Sequence, residues 1–148
     1  MKKEIIKLTI ISIIFTLMGC SNIDCVKNGY KTERKGLMSV EYKIKLPQPF
    51  HVQHECNGEA VIYYYSFPDT VYLIIMEGGL TKFGIDYYEV ENRKTTNTKT
   101  ISTGVHNGRF WRRDQYKEAI TVYYDWVQKN NKKKYDSILD NIKIKTLK

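Results

Sequence analysis

Val40-Glu41-Tyr42-Lys43-Ile44-Lys45-Leu46-Pro47 is the stretch that decides how this chain folds. Four apolar side chains alternate with three charged ones, and a period of two is the signature of a strand with one dry face and one wet face. Pro47 and Pro49 end it. Downstream, Ala60-Val61-Ile62-Tyr63-Tyr64-Tyr65-Ser66-Phe67 is β-branched and aromatic. It stops at Pro68-Asp69 and is followed at once by Val71-Tyr72-Leu73-Ile74-Ile75-Met76. Two such runs joined by a tight turn predict central antiparallel strands.

Further along, Asn107-Gly108 separates Ile101 to His106 from Arg109 to Arg113. Both turn residues tolerate positive φ, so a two-residue hairpin is predicted. Ala119 to Val127 reads as another strand. Ile85 to Val90 fits neither period, and the polar run Asn92 to Thr100 predicts a surface loop. Only Lys132 to Lys143 has a helical period, with Tyr135, Ile138, Leu139 and Ile142 on one face. The expected class is α+β: an antiparallel sheet of about five to six strands with a C-terminal helix packed on one face, forming a single domain over residues 39–148.

The 148 residues include 24 Lys and Arg, 16 Asp and Glu and 12 Tyr. That aromatic content excludes a disordered polar chain and leaves enough apolar mass for one core. Residues 20–38 are polar and charged, and they read as a membrane-proximal tether that becomes ordered near the domain.

Upstream of the tether, Lys2, Lys3 and Lys7 surround Glu4, and Leu8 to Met18 carries no charge. This is a basic segment followed by an apolar one of export type. It is about half the ~20 residues a membrane-spanning helix needs. Leu17-Met18-Gly19-Cys20 resembles the lipobox of bacterial lipoproteins, with Met18 where a small residue is usual. The resemblance implies removal of residues 1–19 as a signal peptide and a diacylglycerol thioether on Cys20, often with a third acyl chain, commonly palmitate, on its amine. Two or more acyl chains hold a membrane stably, whereas one does so only marginally. Ser21, in the same resemblance, implies the outer membrane over retention in the inner one. Residues 1–19 hold three of the 24 basic and one of the 16 acidic residues, so the processed chain keeps an excess of six positive charges.

With Cys20 lipidated, Cys25 and Cys56 remain in an oxidising compartment, where one disulfide is the simplest outcome. It would contribute about 3 to 4 kcal/mol in the chain-entropy model. The other reading is a buried free thiol.

Tyr42-Lys43-Ile44-Lys45-Leu46-Pro47 as an opening strand, Gly108-Arg109-Phe110-Trp111 at a hairpin and Tyr135-Asp136-Ser137-Ile138-Leu139 in a closing helix resemble the PsbP/Mog1-like α-β-α sandwich. The resemblance covers some two thirds of the chain. It is one of fold and carries no site motif, so it implies no activity.

For chemistry, His51-Val52-Gln53-His54-Glu55-Cys56 is the densest run of ligand-type side chains. His51 and His54 are the weak metal candidates, because residues three apart on a strand face opposite ways. No metal and no cofactor are expected. His106 has Ser102 and Asp114 nearby in sequence. No nucleophile elbow, zinc-protease helix, phosphate loop or dinucleotide fingerprint accompanies them, so no catalytic residue is expected. The clusters Tyr63-Tyr64-Tyr65, Phe110-Trp111 and Tyr123-Tyr124-Asp125-Trp126 must point some aromatics away from a core unless both sheet faces are covered. Outward aromatics stack on sugars or bind proteins.

Around the predicted helix, Lys129, Lys132, Lys133, Lys134, Lys143, Lys145 and Lys148 outnumber Asp136 and Asp140. They predict a basic patch facing the membrane; the alternative is an ordinary solvated helix face. The expected role is a membrane-anchored cell-envelope lipoprotein that acts as a non-catalytic binding or assembly module. The alternative is an immunity or inhibitor lipoprotein that blocks a toxin or lytic enzyme. Expected partners are membrane lipid through acylated Cys20, with an envelope protein or a glycan at the aromatics, and no nucleic acid.

Overall fold

The structure, a computed structural model, describes residues 29–78, 84–117 and 119–147. The signal segment, Cys20, Ser21, Cys25 and Lys148 lie outside the described residues. The elements run β1 (Tyr30–Gly36), β2 (Val40–Pro47), β3 (His51–Cys56), β4 (Ala60–Ser66), β5 (Tyr72–Gly78), β6 (Asn92–Thr95), β7 (Lys99–His106), β8 (Arg109–Tyr116), β9 (Ile120–Val127), helix α1 (Lys132–Asp140) and β10 (Lys143–Thr146). Among the described residues there are also two short 3-10 turns, Gly84–Tyr87 and Lys129–Asn131. All strand pairs are antiparallel, in one sheet of order β1-β2-β10 and a second of order β3-β4-β5-β9-β8-β7-β6.

The α+β class and the antiparallel pairing agree with the sequence, but the strand number does not: among the described residues, ten strands in two sheets replace five or six in one. The four unexpected strands, β1, β3, β6 and β10, are the four sheet edges. An edge strand is wetted along its open side, so its sequence needs no apolar alternation. Every residue of β3 and β6 is exposed. Residues 30–36, within the stretch read as tether, form β1. Asn92–Thr95, expected in a loop, pairs with β7 through a turn in which Thr96 Oγ1 accepts from the Thr98 and Lys99 amides. The helix ends at Asp140, where the Asn141 side-chain amide donates to the Ser137 carbonyl at 2.7 Å, and the chain continues as β10.

The main core lies between the two sheets. Val40, Tyr42, Ile44 and Leu46 of β2 point into it and meet Tyr65, Leu73, Ile75, Val122 and Tyr124. Helix α1 adds Tyr135, Ile138 and Leu139 to the same core, beside the small sheet. On the opposite face of the large sheet, Ile62, Ile74, Met76, Trp111 and Tyr123 are covered by Ile85, with Tyr88 and Val90 packed against them. Both faces of the large sheet are therefore dry at its centre. This is why the adjacent residues Tyr123 and Tyr124, which face opposite ways, are both buried. Glycine is required at 104: a Cβ there would stand 2.6 Å from the Glu89 carbonyl and 2.8 Å from the Trp111 indole nitrogen.

Candidate functional site

The core-facing alternation of β2 fixes what its other face presents. With Val40, Tyr42, Ile44 and Leu46 inward, Glu41, Lys43 and Lys45 point outward. Cross-strand register then sets their neighbours. β1 puts Arg34 opposite Lys43 and Thr32 opposite Lys45; β10 puts Lys143 opposite Lys43 and Lys145 opposite Glu41. Residues directly opposite share a face. The outer face of the three-stranded sheet thus carries Arg34, Lys43, Lys45, Lys143 and Lys145 against Glu41 alone.

Arg34, Lys43 and Lys143 form one row across the three strands. Like charges directly opposite each other in a sheet are unfavourable. Arg34 reaches Glu41 at 3.5 Å. Lys45 lies 5.3 Å above the Tyr30 ring, which is polarisation rather than neutralisation. Among the described residues no carboxylate stands within ion-pair distance of Lys43, Lys45, Lys143 or Lys145.

A groove of about 510 Å³ opens where β10 begins, between this sheet and the last turn of α1. Lys43, Lys45 and Lys143 line it with the polar side chains of Tyr30, Thr32, Ser137 and Asn141, and Ile44 and Ile138 form its apolar part. Three ammonium groups and several neutral donors, with no carboxylate, make a lining suited to an anion.

The patch expected around the helix divides in the structure. Lys143 and Lys145 join the sheet face. Lys132 donates to Asp136 at 2.5 Å, and Lys134 pairs with Asp69 at 3.2 Å while covering the Tyr135 ring. Lys129 and Lys133 are exposed, in the 3-10 turn and on the helix. Sequence reasoning missed Lys43, Lys45 and Arg34. The first two were readable, because every second residue of β2 had already been assigned to the core.

The densest charged cluster lies elsewhere. Arg112 is buried and binds Asp114 through both ends of its fork, Nε to Oδ1 at 2.7 Å and Nη2 to Oδ2 at 2.9 Å. Its Nη2 also reaches Asp140 at 2.6 Å, and its Nη1 reaches Asp136 at 3.4 Å. Lys99 holds Asp114 at 2.6 Å, and the Tyr124 hydroxyl donates to Asp136 at 2.7 Å. Burial works against the charges of Arg112 and Lys99, yet the carboxylates beside them outweigh it and raise both above their ordinary values. Every charge here has a counter-charge. The cluster fastens α1 to β8 and β9 and leaves no base free to take a proton.

His106 stacks on Tyr88 at 3.9 Å, and the Tyr88 hydroxyl donates to Asp125 at 3.0 Å. Asp125 also accepts the Trp126 amide at 2.7 Å, within a bulge where β9 carries one residue more than β8 and Trp126 takes φ 64°. Burial first, then the Asp125 contact, push Tyr88 up to about 12. Ser102 and Arg113 face the Tyr88 side of the sheet, opposite the face of Asp114, so the structure does not bring His106, Ser102 and Asp114 together. Of the aromatics in those clusters, Trp126 is exposed, Tyr63, Tyr64 and Phe110 are half-buried, and Tyr65, Trp111, Tyr123 and Tyr124 are core.

His51 pairs opposite Ser66 and His54 opposite Tyr63, on opposite faces of β3, and the His54 ring stacks on Tyr63 at 4.6 Å. No group of three or more His, Cys, Asp or Glu converges among the described residues. Cys56 is an exposed free thiol at the end of β3. Its expected partner, Cys25, lies outside the described residues.

No family model, no curated protein and no solved structure matches this chain.

Proposed function

We propose that the chain is a cell-envelope lipoprotein, anchored through an acylated Cys20, whose folded domain is a non-catalytic binding module for an anionic partner held on the outer face of the three-stranded sheet. One observation carries the reading: the cationic row Arg34, Lys43, Lys143, in which Arg34 meets Glu41 while Lys43 and Lys143 have no carboxylate within ion-pair distance among the described residues, flanked by Lys45 and Lys145 and opening into the groove beside the last turn of α1. Cross-strand repulsion of this kind costs stability in the free protein, and an anion that bridges the ammonium groups offsets that cost on binding.

The anchor and the binding face are tested separately. Metabolic labelling with palmitate should mark the wild-type chain and not Cys20→Ser; equal labelling of the two would end the lipoprotein reading. Soluble polyphosphate should bind the domain at low salt and release it as salt rises. Substituting Lys43, Lys45 and Lys143 together by Gln should remove that binding. If the triple variant binds polyphosphate as the wild type does, the groove is not the binding surface.

A further inference from the structure

We infer that the anionic partner is the phospholipid headgroup layer of the membrane that carries the Cys20 anchor, and that the domain sits on it with the outer face of the three-stranded sheet turned down. The inference rests on the binding face proposed above and names its occupant. Three observations point to a lipid surface rather than a soluble polyanion.

The first is shape and charge. The face is the outer side of a three-stranded sheet, with five cations and one carboxylate distributed across it. A planar array of ammonium groups matches a planar array of phosphates. Each Lys near an anionic surface strengthens attachment about fivefold, that being the fold-change for the roughly 1 kcal/mol that such a residue contributes.

The second is what flanks the charges. Tyr30, 54 % exposed, stands at one end of the sheet; Met38 and Leu147, 47 % and 48 % exposed, stand at the other, where the Leu147 amide donates to the Ser39 carbonyl. A soluble polyanion gains nothing from these apolar side chains. At a bilayer surface, amphipathic Tyr rings and single apolar side chains settle at headgroup depth while Lys stems extend along the surface with the ammonium in the phosphate layer.

The third is the tether. The described chain enters the fold at Gly29 and Tyr30, and Tyr30 lines the groove. Tyr30 is ten residue steps from Cys20, which cannot extend beyond about 35 Å. The part of the domain nearest the lipid anchor along the chain is thus the end of the basic face, and docking there needs no extended tether.

The test uses residues 21–148, which contain both sheets, the helix and every packing contact described above, so attachment is read without any acyl chain and does not depend on the lipoprotein reading. Co-sedimentation at low salt with phosphatidylcholine vesicles, with and without phosphatidylglycerol, should show retention only with the anionic lipid. Replacing Lys43, Lys45 and Lys143 by Gln should weaken it roughly a hundredfold. A control with Lys94, Lys129 and Lys133 replaced by Gln changes net charge equally and should retain most of the binding. Equal weakening by the two triple variants would reduce the effect to net charge and overturn the inference. Vesicles that fail to retain a domain which still binds polyphosphate would overturn it too, while leaving the binding face in place. Both variants are at exposed positions, and thermal melts of each should match the wild type.

Discussion

The hydroxyls of Tyr42 and Tyr65 meet at 2.6 Å in the middle of the core, one from each sheet, with neither side chain reached by solvent. Each is the other's partner, so Tyr42→Phe or Tyr65→Phe strands one buried hydroxyl at a cost of about 1 to 3 kcal/mol, whereas removing both leaves nothing unpaired. Urea unfolding of the two single variants and the double variant should give a double-mutant loss clearly smaller than the sum of the singles. Additive losses would mean the hydroxyls do not depend on each other.

Burial holds the phenols of Tyr42, Tyr65, Tyr123, Tyr124 and Tyr135 above the ordinary tyrosine value, with further help for most from neighbouring carboxylates, and Tyr65 is pushed up to about 12. In the unfolded chain the same groups lose their protons near pH 10. Above that pH the unfolded state binds fewer protons than the folded one, so stability falls as pH rises, by about 1.4 kcal/mol per pH unit for each such group. The domain should unfold cooperatively in mild alkali, with the tyrosinate absorbance at 295 nm rising in step with loss of far-ultraviolet circular dichroism. Tyrosine ionisation that runs well ahead of unfolding would show these phenols to be accessible.

Among the described residues, Arg112 is the only group that touches Asp114, Asp136 and Asp140 together. Arg112→Leu leaves buried Asp114 with Lys99 alone and should cost about 3 to 5 kcal/mol, and Arg112→Lys should recover little because an ammonium cannot make the two-pronged contact. Burial raises Asp136, but Lys132, the Tyr124 hydroxyl and Arg112 outweigh it and hold the group below its ordinary value. A depressed carboxylate contributes stability above the unfolded value near 3.9 and loses it as pH falls through the folded one. Lys132→Met should therefore move acid unfolding to higher pH. An unchanged acid midpoint by circular dichroism would remove Lys132 from the account.

Gly104→Ala places a methyl group against the Glu89 carbonyl and the Trp111 indole at distances real Cβ atoms do not occupy. The strand or its cover has to shift, at about 1 to 3 kcal/mol. Amide exchange should rise first over residues 84–91, which close the second core. Exchange that rises in β2 and α1 instead would place the damage in the wrong layer.

What the sequence conveyed and what it concealed divide along one physical line. Every interior strand announced itself, β2 by alternation, β4 and β5 by their apolar runs, and β7 and β8 by Asn107-Gly108, because burial on at least one face demands apolar side chains. The edges β1, β3, β6 and β10 are held by main-chain hydrogen bonds, which any residue but proline supplies, so Tyr30–Gly36 read as tether and Asn92–Thr95 as loop. Arg112 and Asp114 were within reach of the same reasoning: two residues apart on a strand, they share a face. That Asp136 and Asp140 complete the cluster from α1 depended on helix packing that no local pattern encodes. Of the basic face, Lys143 and Lys145 were named from the sequence as part of a patch about the helix, Lys43 and Lys45 were readable from the alternation of β2 but were missed, and Arg34 was hidden because the sequence did not mark β1 as a strand.

The middle strand of the small sheet takes its two partners from opposite ends of the described chain: Val40 lies beside Gly36 on one side in sequence and is paired with Thr146 on the other. The sheet therefore cannot close until residues 143–146 have been made. Until residues 143–146 arrive, β2 has an open edge, its apolar row lacks Ile144 as a neighbour, and long loop closure precedes any gain from pairing. Assembly of this layer waits on residues 143–146. A polypeptide that ends before Lys143 would keep β1 on one side of β2 and leave the other edge open, a template for pairing with another chain.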